Sequence, residues 1–305
     1  MRIVFMGTPE FAVASLDALI EAGCDVVGVV TAPDKPAGRG QKLSEPAVKK
    51  YAATHNIKVL QPEKLRDAAF LEELRSLNAD LQVVVAFRML PEVVWAMPSK
   101  GTINLHASLL PQYRGAAPIN WVLINGEKET GVTTFLLQAE IDTGNILFTE
   151  KVTLNDDFTA GTLHDKLMDK GAGLLVKTVK CVESGKFMAQ PQDHLMHDIE
   201  LKHAPKIFKE DCRIDWTKNI TDVFNFIRGL SPYPVAYTDL NGKILKVFSA
   251  VKEHSAVSDK PGSYQTDNKT FLKFACADGY ISVKDIQLEG KKRMTVEEFL
   301  RGVKL

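Results

Sequence analysis

The chain has 305 residues with 38 Lys+Arg against 38 Asp+Glu, a formal net charge of +0, and 45% hydrophobic against 25% charged residues. This composition supports a sizeable core, excludes a disordered or collagen-like chain, and at this length favours two domains over one. Neutrality conceals an asymmetry: residues 1–200 hold 20 basic and 25 acidic residues, net −5, and residues 201–305 hold 18 and 13, net +5, a hint of a polyanionic partner for the second part.

The opening MRIVFMGTPEF is strand-like and has no small-residue cleavage site after an apolar stretch, so no signal peptide is expected. Between Arg2 and Phe87 the runs RIVFM, VVGVVT, KVL and LQVVVAF read as strands buried on both faces, and FAVASLDALIEAG as a helix ended by Gly23. That βαβα order predicts a parallel sheet with helices on both faces. Thr8 is expected as the cap of the first helix and Pro9 as its first residue; the turn is not Gly-x-Gly-x-x-Gly, so it implies no dinucleotide.

The polar stretch APDKPAGRGQKLSEP, which carries Lys35, Arg39 and Lys42, has no periodicity. Two readings fit: a solvated surface loop, or a basic arm that closes on a charged ligand. Further on, GTINLH reads as a strand, VTTFLLQAEI and NILFTEKVTL as a hairpin pair, and the segment from Thr159 to Gly185 as a long helix. Periodicity is lost from Lys186 to Lys209 around Pro191 and Pro205, which places a linker at 189–208 between a domain over 1–188 and another over 209–305. The last part has one helix, NITDVFNFIRGL, and then short strands broken by Pro232, Pro234, Gly242, Pro261, Gly262 and Gly279, the pattern of a small barrel or sandwich.

The four cysteines, Cys24, Cys181, Cys212 and Cys276, have neither Cys-x-x-Cys nor disulfide-framework spacing, so a reduced, cytoplasmic setting is expected. No run approaches the roughly 18 apolar residues of a membrane span, and no membrane partner is expected. His194, His197 and His203 lack metal-site spacing, and no metal is expected. Trp216 is expected to anchor the second domain to the first. The run Lys291, Lys292 and Arg293 reads as a solvated turn.

The segment carrying most chemistry is NLHASLLPQYRGAAP, residues 104–118. Side chains two apart on a strand share a face, so Asn104 and His106 lie together at the strand end where open α/β sheets bind ligands. Asp142, in the hairpin link Ile141-Asp142-Thr143-Gly144, would add a carboxylate. Imidazole, carboxylate and amide together suit acyl or formyl transfer to an amine: a base for the ammonium proton, a group fixing the tautomer of that base, and a donor for the oxyanion. The plainer reading is a satisfied polar pair in the core beside an ordinary turn.

These motifs resemble those of the folate-dependent formyltransferases over essentially the whole chain. FMGTPEFA, KPAGRGQKL, YRGAAP, FKEDCRIDW and LSPYPVAYT resemble the branch acting on tRNA. The resemblance implies a Rossmann-like, doubly wound, mostly parallel α/β sheet domain followed by a small β-barrel (OB-like) domain that binds tRNA. It implies transfer of formyl from 10-formyltetrahydrofolate, as co-substrate, to the amine of initiator methionyl-tRNA in translation initiation, with no metal and no obligate protein partner. Asn104, His106 and Asp142 fall on the family's catalytic positions. Ser108, Leu109, Leu110 and Pro111 fall on its folate contacts, Arg39 on the arginine placed at the tRNA acceptor end, and Lys35 and Lys42 on phosphate contacts. One departure stands out: Arg88 occupies a position that is usually glycine, which bears on the shape of the folate-pocket wall. A formyltransferase for amino sugar nucleotides, or a deformylase, would share the trio but has no need of the PAGRG loop or the basic second part. Retention of all three polar residues argues against a non-catalytic tRNA- or folate-binding module.

Overall fold

The computed structural model describes residues 1–37, 42–196 and 200–305, with the backbone alone for Ala37 and Lys42. In chain order, β1 (Arg2–Gly7) leads through α1 (Glu10–Glu21) to β2 (Asp25–Val30) and a hairpin of β3 (Lys35–Ala37) and β4 (Lys42–Ser44). Then come α2 (Ala47–Thr54), β5 (Val59–Leu60), α3 (Ala68–Ser76), β6 (Leu81–Val85), α4 (Glu92–Trp95) and β7 (Thr102–His106). β8 (Arg114–Gly115) and α5 (Pro118–Ile124) precede β9 (Glu129–Leu136), β10 (Ile146–Thr153) and the long α6 (Ala160–Ser184). The rest is β11 (His203–Ala204), α7 (Ile220–Leu230), β12 (Ala236–Leu240), β13 (Lys243–Glu253), β14 (Tyr264–Thr266), β15 (Leu272–Ala275), β16 (Tyr280–Leu288), β17 (Met294–Thr295) and α8 (Val296–Gly302). Contacts divide the chain into a first unit of residues 1–114, 130–152 and 164–202, and a second of 115–129, 153–163 and 203–305.

The first unit holds a seven-stranded sheet in the order β10-β9-β7-β6-β1-β2-β5. The five strands from β7 to β5 in that order are parallel, and β9 runs antiparallel to β7. Continuous apolar runs make the central strands: five of the six residues of β1 and all five of β6 are buried, as a sheet covered on both faces requires. Strand alternation divides them. Val4, Met6, Val30 and Val84 pack with Phe70, Leu74 and Val94 from α3 and α4, and the alternate Ile3 and Phe5 point to the opposite face. Along α6, Gly171 allows the helix to approach β7, since a Cβ there would come within 2.8 Å of Leu105.

α1 begins one residue later than expected. Pro9, with ψ 177°, is the cap rather than the first helical residue, and no side chain, that of Thr8 included, caps the helix. The polar stretch after β2 is also more regular than its sequence indicates, because its two ends pair as β3 and β4, Lys35 opposite Ser44 and Ala37 opposite Lys42.

The second unit is an antiparallel sheet in the order β12-β13-β16-β15-β14, with β17 on β16. It is a curled half-barrel, bent where the β13–β16 register shifts between Val247 and Ala250, as bulges bend strands. Trp216 is buried within this unit, stacked on Phe274 at 4.6 Å and donating to Thr238 Oγ1 at 2.9 Å. Its indole belongs to the core cluster of this unit, with Val247, Phe274 and Ile281. The buried Arg228 donates to Asn225 Oδ1 and to the Asn155 carbonyl, both at 2.8 Å, fastening residues 153–163 to α7. Among the described residues, no helix is long and apolar enough to cross a membrane.

Candidate active site

β7 ends at the carboxyl edge of the parallel sheet, with Asn104 beside Val84 of β6 and His106 beside Thr133 of β9. His106 is buried, and its Nε2 lies 2.9 Å from the main-chain oxygen of Tyr113. A carbonyl oxygen only accepts, so Nε2 carries the hydrogen and Nδ1 holds the lone pair. Nδ1 faces Asp142 Oδ2 at 3.8 Å, too far for a hydrogen bond, but close enough for a strong charge interaction once the ring takes a second proton. The sequence reading gave the tautomer to the carboxylate. In the structure the Tyr113 carbonyl sets it, because Tyr113 adopts φ 60° and its amide is held by the Lys202 carbonyl at 2.7 Å. Asn104 is partly exposed, and its side-chain amide has no hydrogen-bond partner among the described residues.

The link carrying Asp142 is longer than the tight turn expected: β9 ends at Leu136 and β10 begins at Ile146. Gln192, 2% exposed, holds it, donating through Nε2 to the carbonyls of Asp142 at 2.9 Å and Gly144 at 2.8 Å. Its Oε1 accepts from Arg114 Nε at 3.1 Å and Nη2 at 2.6 Å. Gly144 is required by close approach, since a Cβ would lie 1.7 Å from the Leu136 carbonyl oxygen. Sequence reading missed Gln192, which lies in the stretch assigned to the linker; Tyr113 and Arg114 were visible only as part of the YRGAAP motif.

Ser108 to Pro111 form a braced turn. Ser108 Oγ donates to the Gln112 carbonyl at 2.7 Å, and Thr133 Oγ1 donates to the Ser108 carbonyl at 2.7 Å while accepting the Leu110 amide at 3.2 Å. Leu110 is buried against Phe135 and Ile146, leaving Leu109 as the partly exposed aliphatic side chain of the run. Arg88 turns back from the sheet edge: its guanidinium donates to the carbonyls of Glu63, at 2.8 Å, and Pro62, and lies 5.6 Å from the Phe87 ring centre.

Lys35 is exposed at the start of β3, and Lys42 starts β4. Arg39 and His197 lie outside the described residues. Among the described residues no group of His, Cys, Asp and Glu is arranged to hold a metal ion.

An open α/β sheet with an imidazole, a carboxylate and an amide at its carboxyl edge, followed by a half-barrel, defines a group-transferring enzyme of two domains. Residues 1–179 match the formyl transferase family and residues 206–304 the formyl transferase C-terminal domain. A methionyl-tRNA formyltransferase of Bacteroides fragilis is 52% identical over 310 residues, covering 100% of this chain and 96% of the relative. That of Parabacteroides distasonis is 55% identical over 311 residues, with the same two coverages. The chain belongs to the formyl transferase family, in its methionyl-tRNA formyltransferase branch.

Two solved structures share the fold at 19% identity. One is an N-formyltransferase from Helicobacter canadensis in complex with folinic acid and dTDP-3-aminofucose, with TM-score 0.67, covering 96% of this chain and 99% of that one. The other is HypX from Aquifex aeolicus in complex with tetrahydrofolic acid, with TM-score 0.66, covering 99% of this chain and 48% of that one.

Proposed function

We propose that the chain transfers the formyl group of 10-formyltetrahydrofolate to the free amine of methionine on initiator methionyl-tRNA, giving N-formylmethionyl-tRNA for translation initiation. The observation that carries this is the identity of half or more, over the full length, to curated methionyl-tRNA formyltransferases. In this reading the chain works in the cytoplasm, residues 1–188 are the catalytic domain, 189–208 the linker, and 209–305 an OB-like tRNA-binding domain with no obligate protein partner.

The chemistry follows from the side chains. His106 Nδ1, left unprotonated by the Tyr113 hydrogen bond, takes the proton that the amine releases as its nitrogen bonds to the formyl carbon. Asn104 donates its amide hydrogen to the formyl oxygen as that oxygen gains charge. Asp142, 3.8 Å away, stabilises the imidazolium, which returns the proton to the folate nitrogen as its bond to carbon breaks. The step balances with one N–C bond formed, one broken, and one proton relayed. Ser108, Leu109, Leu110 and Pro111 support the folate through the braced turn. Arg39 discriminates at the acceptor end, and Lys35 and Lys42 contact phosphate.

The test offers purified chain labelled 10-formyltetrahydrofolate with charged initiator tRNA, and charged elongator tRNA as control. Formyl transfer to the initiator species is expected. Transfer to an amino sugar nucleotide without transfer to the tRNA would overturn the reading.

A further inference from the structure

The run LSPYPVAYT carries an aromatic ring that the reaction does not use. Tyr233, in the link between α7 and β12, is 82% exposed. Among the described residues no other ring and no cation lies against it, and its hydroxyl has no hydrogen-bond partner. Phe208, also exposed, differs in that the Lys206 ammonium lies 5.1 Å from its ring centre.

The backbone on either side of Tyr233 is fixed. Ser231 and Val235 are both buried. The Val235 amide donates to the Leu230 carbonyl at 2.9 Å, and the Ser231 amide to that of Arg228 at 3.3 Å. The Ser231 carbonyl accepts the Gly161 amide at 3.0 Å. The approach is close enough that a Cβ on Gly161 would lie 2.7 Å from Pro232 Cδ. The rings of Pro232 and Pro234 restrict the chain immediately before and after the tyrosine. Val235 adopts φ 77°, in the left-handed region that a β-branched residue enters only at a cost. A turn anchored at both ends and strained at one thus carries a large ring that adds no burial to the isolated chain.

What covers the ring follows from charge and shape. Residues 201–305 hold 18 basic and 13 acidic residues, net +5, a balance that attracts a phosphate backbone but makes no contact with a base. A flat ring on a fixed turn supplies that contact, since every base has a face to stack on it and an unpaired base leaves that face open. We propose that Tyr233 is a binding contact for the RNA substrate, its ring stacking on an unpaired base of the tRNA. This rests on the tRNA reading above. Because the turn is set before binding, only the two side-chain torsions of the tyrosine have to be ordered in the complex.

The test measures binding of charged initiator tRNA to the full chain across a salt series. Tyr233→Ala is expected to raise the Kd about tenfold at every salt concentration, within the range for one base losing its aromatic platform. The slope of log Kd against log salt is expected to stay that of the unsubstituted chain, since no phosphate contact is removed. Tyr233→Phe should bind like the unsubstituted chain, and Tyr233→Leu, apolar but without a flat face, as weakly as the alanine variant. The Tm and the KM for 10-formyltetrahydrofolate should not change, because the bonds that anchor the turn are between main-chain atoms. An unchanged Kd in Tyr233→Ala would overturn the proposal and assign the ring to a partner other than tRNA. Leucine binding as well as phenylalanine would replace stacking with simple burial, and a shallower salt slope would make the loss electrostatic; either overturns it, as does a lower Tm, the mark of distortion. If the unsubstituted chain binds tRNA but does not formylate it, the functional reading fails and the Kd comparison still decides Tyr233. A chain that binds no tRNA overturns both.

Discussion

Gln192 Nε2 donates to the main-chain oxygen of Asp142 at 2.9 Å, so the loop presenting the carboxylate is held by a residue 50 positions further along the chain. The same nitrogen donates to Gly144, and the side-chain oxygen takes two bonds from Arg114. Gln192→Leu would leave both carbonyls short of this donor, destabilising the chain by about 1–3 kcal/mol in denaturant titration. The displaced Asp142 is expected to lower kcat about 100-fold. Gln192→Glu, which replaces the donor with an acceptor, should do the same, and a kcat unchanged in both variants would show that the loop does not depend on this contact.

For the trio itself, His106→Ala, Asp142→Asn and Asn104→Ala are each expected to lower kcat by about 10²–10⁴-fold. Equilibrium binding of tetrahydrofolate and the circular dichroism spectrum should persist. Asp142→Asn keeps the size of the group and removes the charge that faces His106 at 3.8 Å. Wild-type turnover in that variant would exclude electrostatic support of the imidazolium.

Gly144→Ala tests the geometry of the loop without touching a reacting group. The new Cβ would collide with the Leu136 carbonyl oxygen at 1.7 Å, and the backbone must move to relieve it. Loss of activity comparable with that of Gln192→Leu is expected, with a lower Tm read by calorimetry. An unchanged Tm with full activity would mean that the loop is not tightly fitted there.

The cysteines give a prediction in pH. Burial, followed by the charge of Asp278, pushes the Cys276 thiol up to about 12, and burial raises that of Cys212 as well. At pH 8 a thiol reagent should therefore modify at most the partly exposed Cys24 and Cys181 in the native chain, and all four after denaturation. Because the folded state favours protonated Cys276, its contribution to stability is fully present below the unfolded value near 9. It is lost as pH rises towards about 12. Cys276→Ala should flatten that alkaline decline.

Much of the first unit was legible because its strands are continuous apolar runs: β1, β2, β5, β6 and β7 fall where RIVFM, VVGVVT, KVL, LQVVVAF and GTINLH predict. Local periodicity records which residues are buried, and burial on both faces leaves no alternation to misread. The proximity of Asn104 to His106 follows from strand geometry alone. Helix α1 was displaced by one residue because a proline can serve as the cap as well as the first helical residue.

What only the tertiary structure decided is what lies far apart in sequence. The tautomer of His106 depends on Tyr113, whose backbone is turned by a bond to Lys202, and the position of Asp142 depends on Gln192 in a stretch without periodicity. Arg88 bears, by sequence, on the shape of a pocket wall; its fork reaches carbonyls 25 and 26 residues earlier in the chain. Hydrogen bonds between a side chain and a distant main-chain atom leave no spacing pattern in the sequence, because the partner atom is common to every residue. The sequence by itself determined which residue types carry the chemistry and on which strands they sit; the fold determined which ring nitrogen of His106 carries the hydrogen, the distances, and what holds the residues in place.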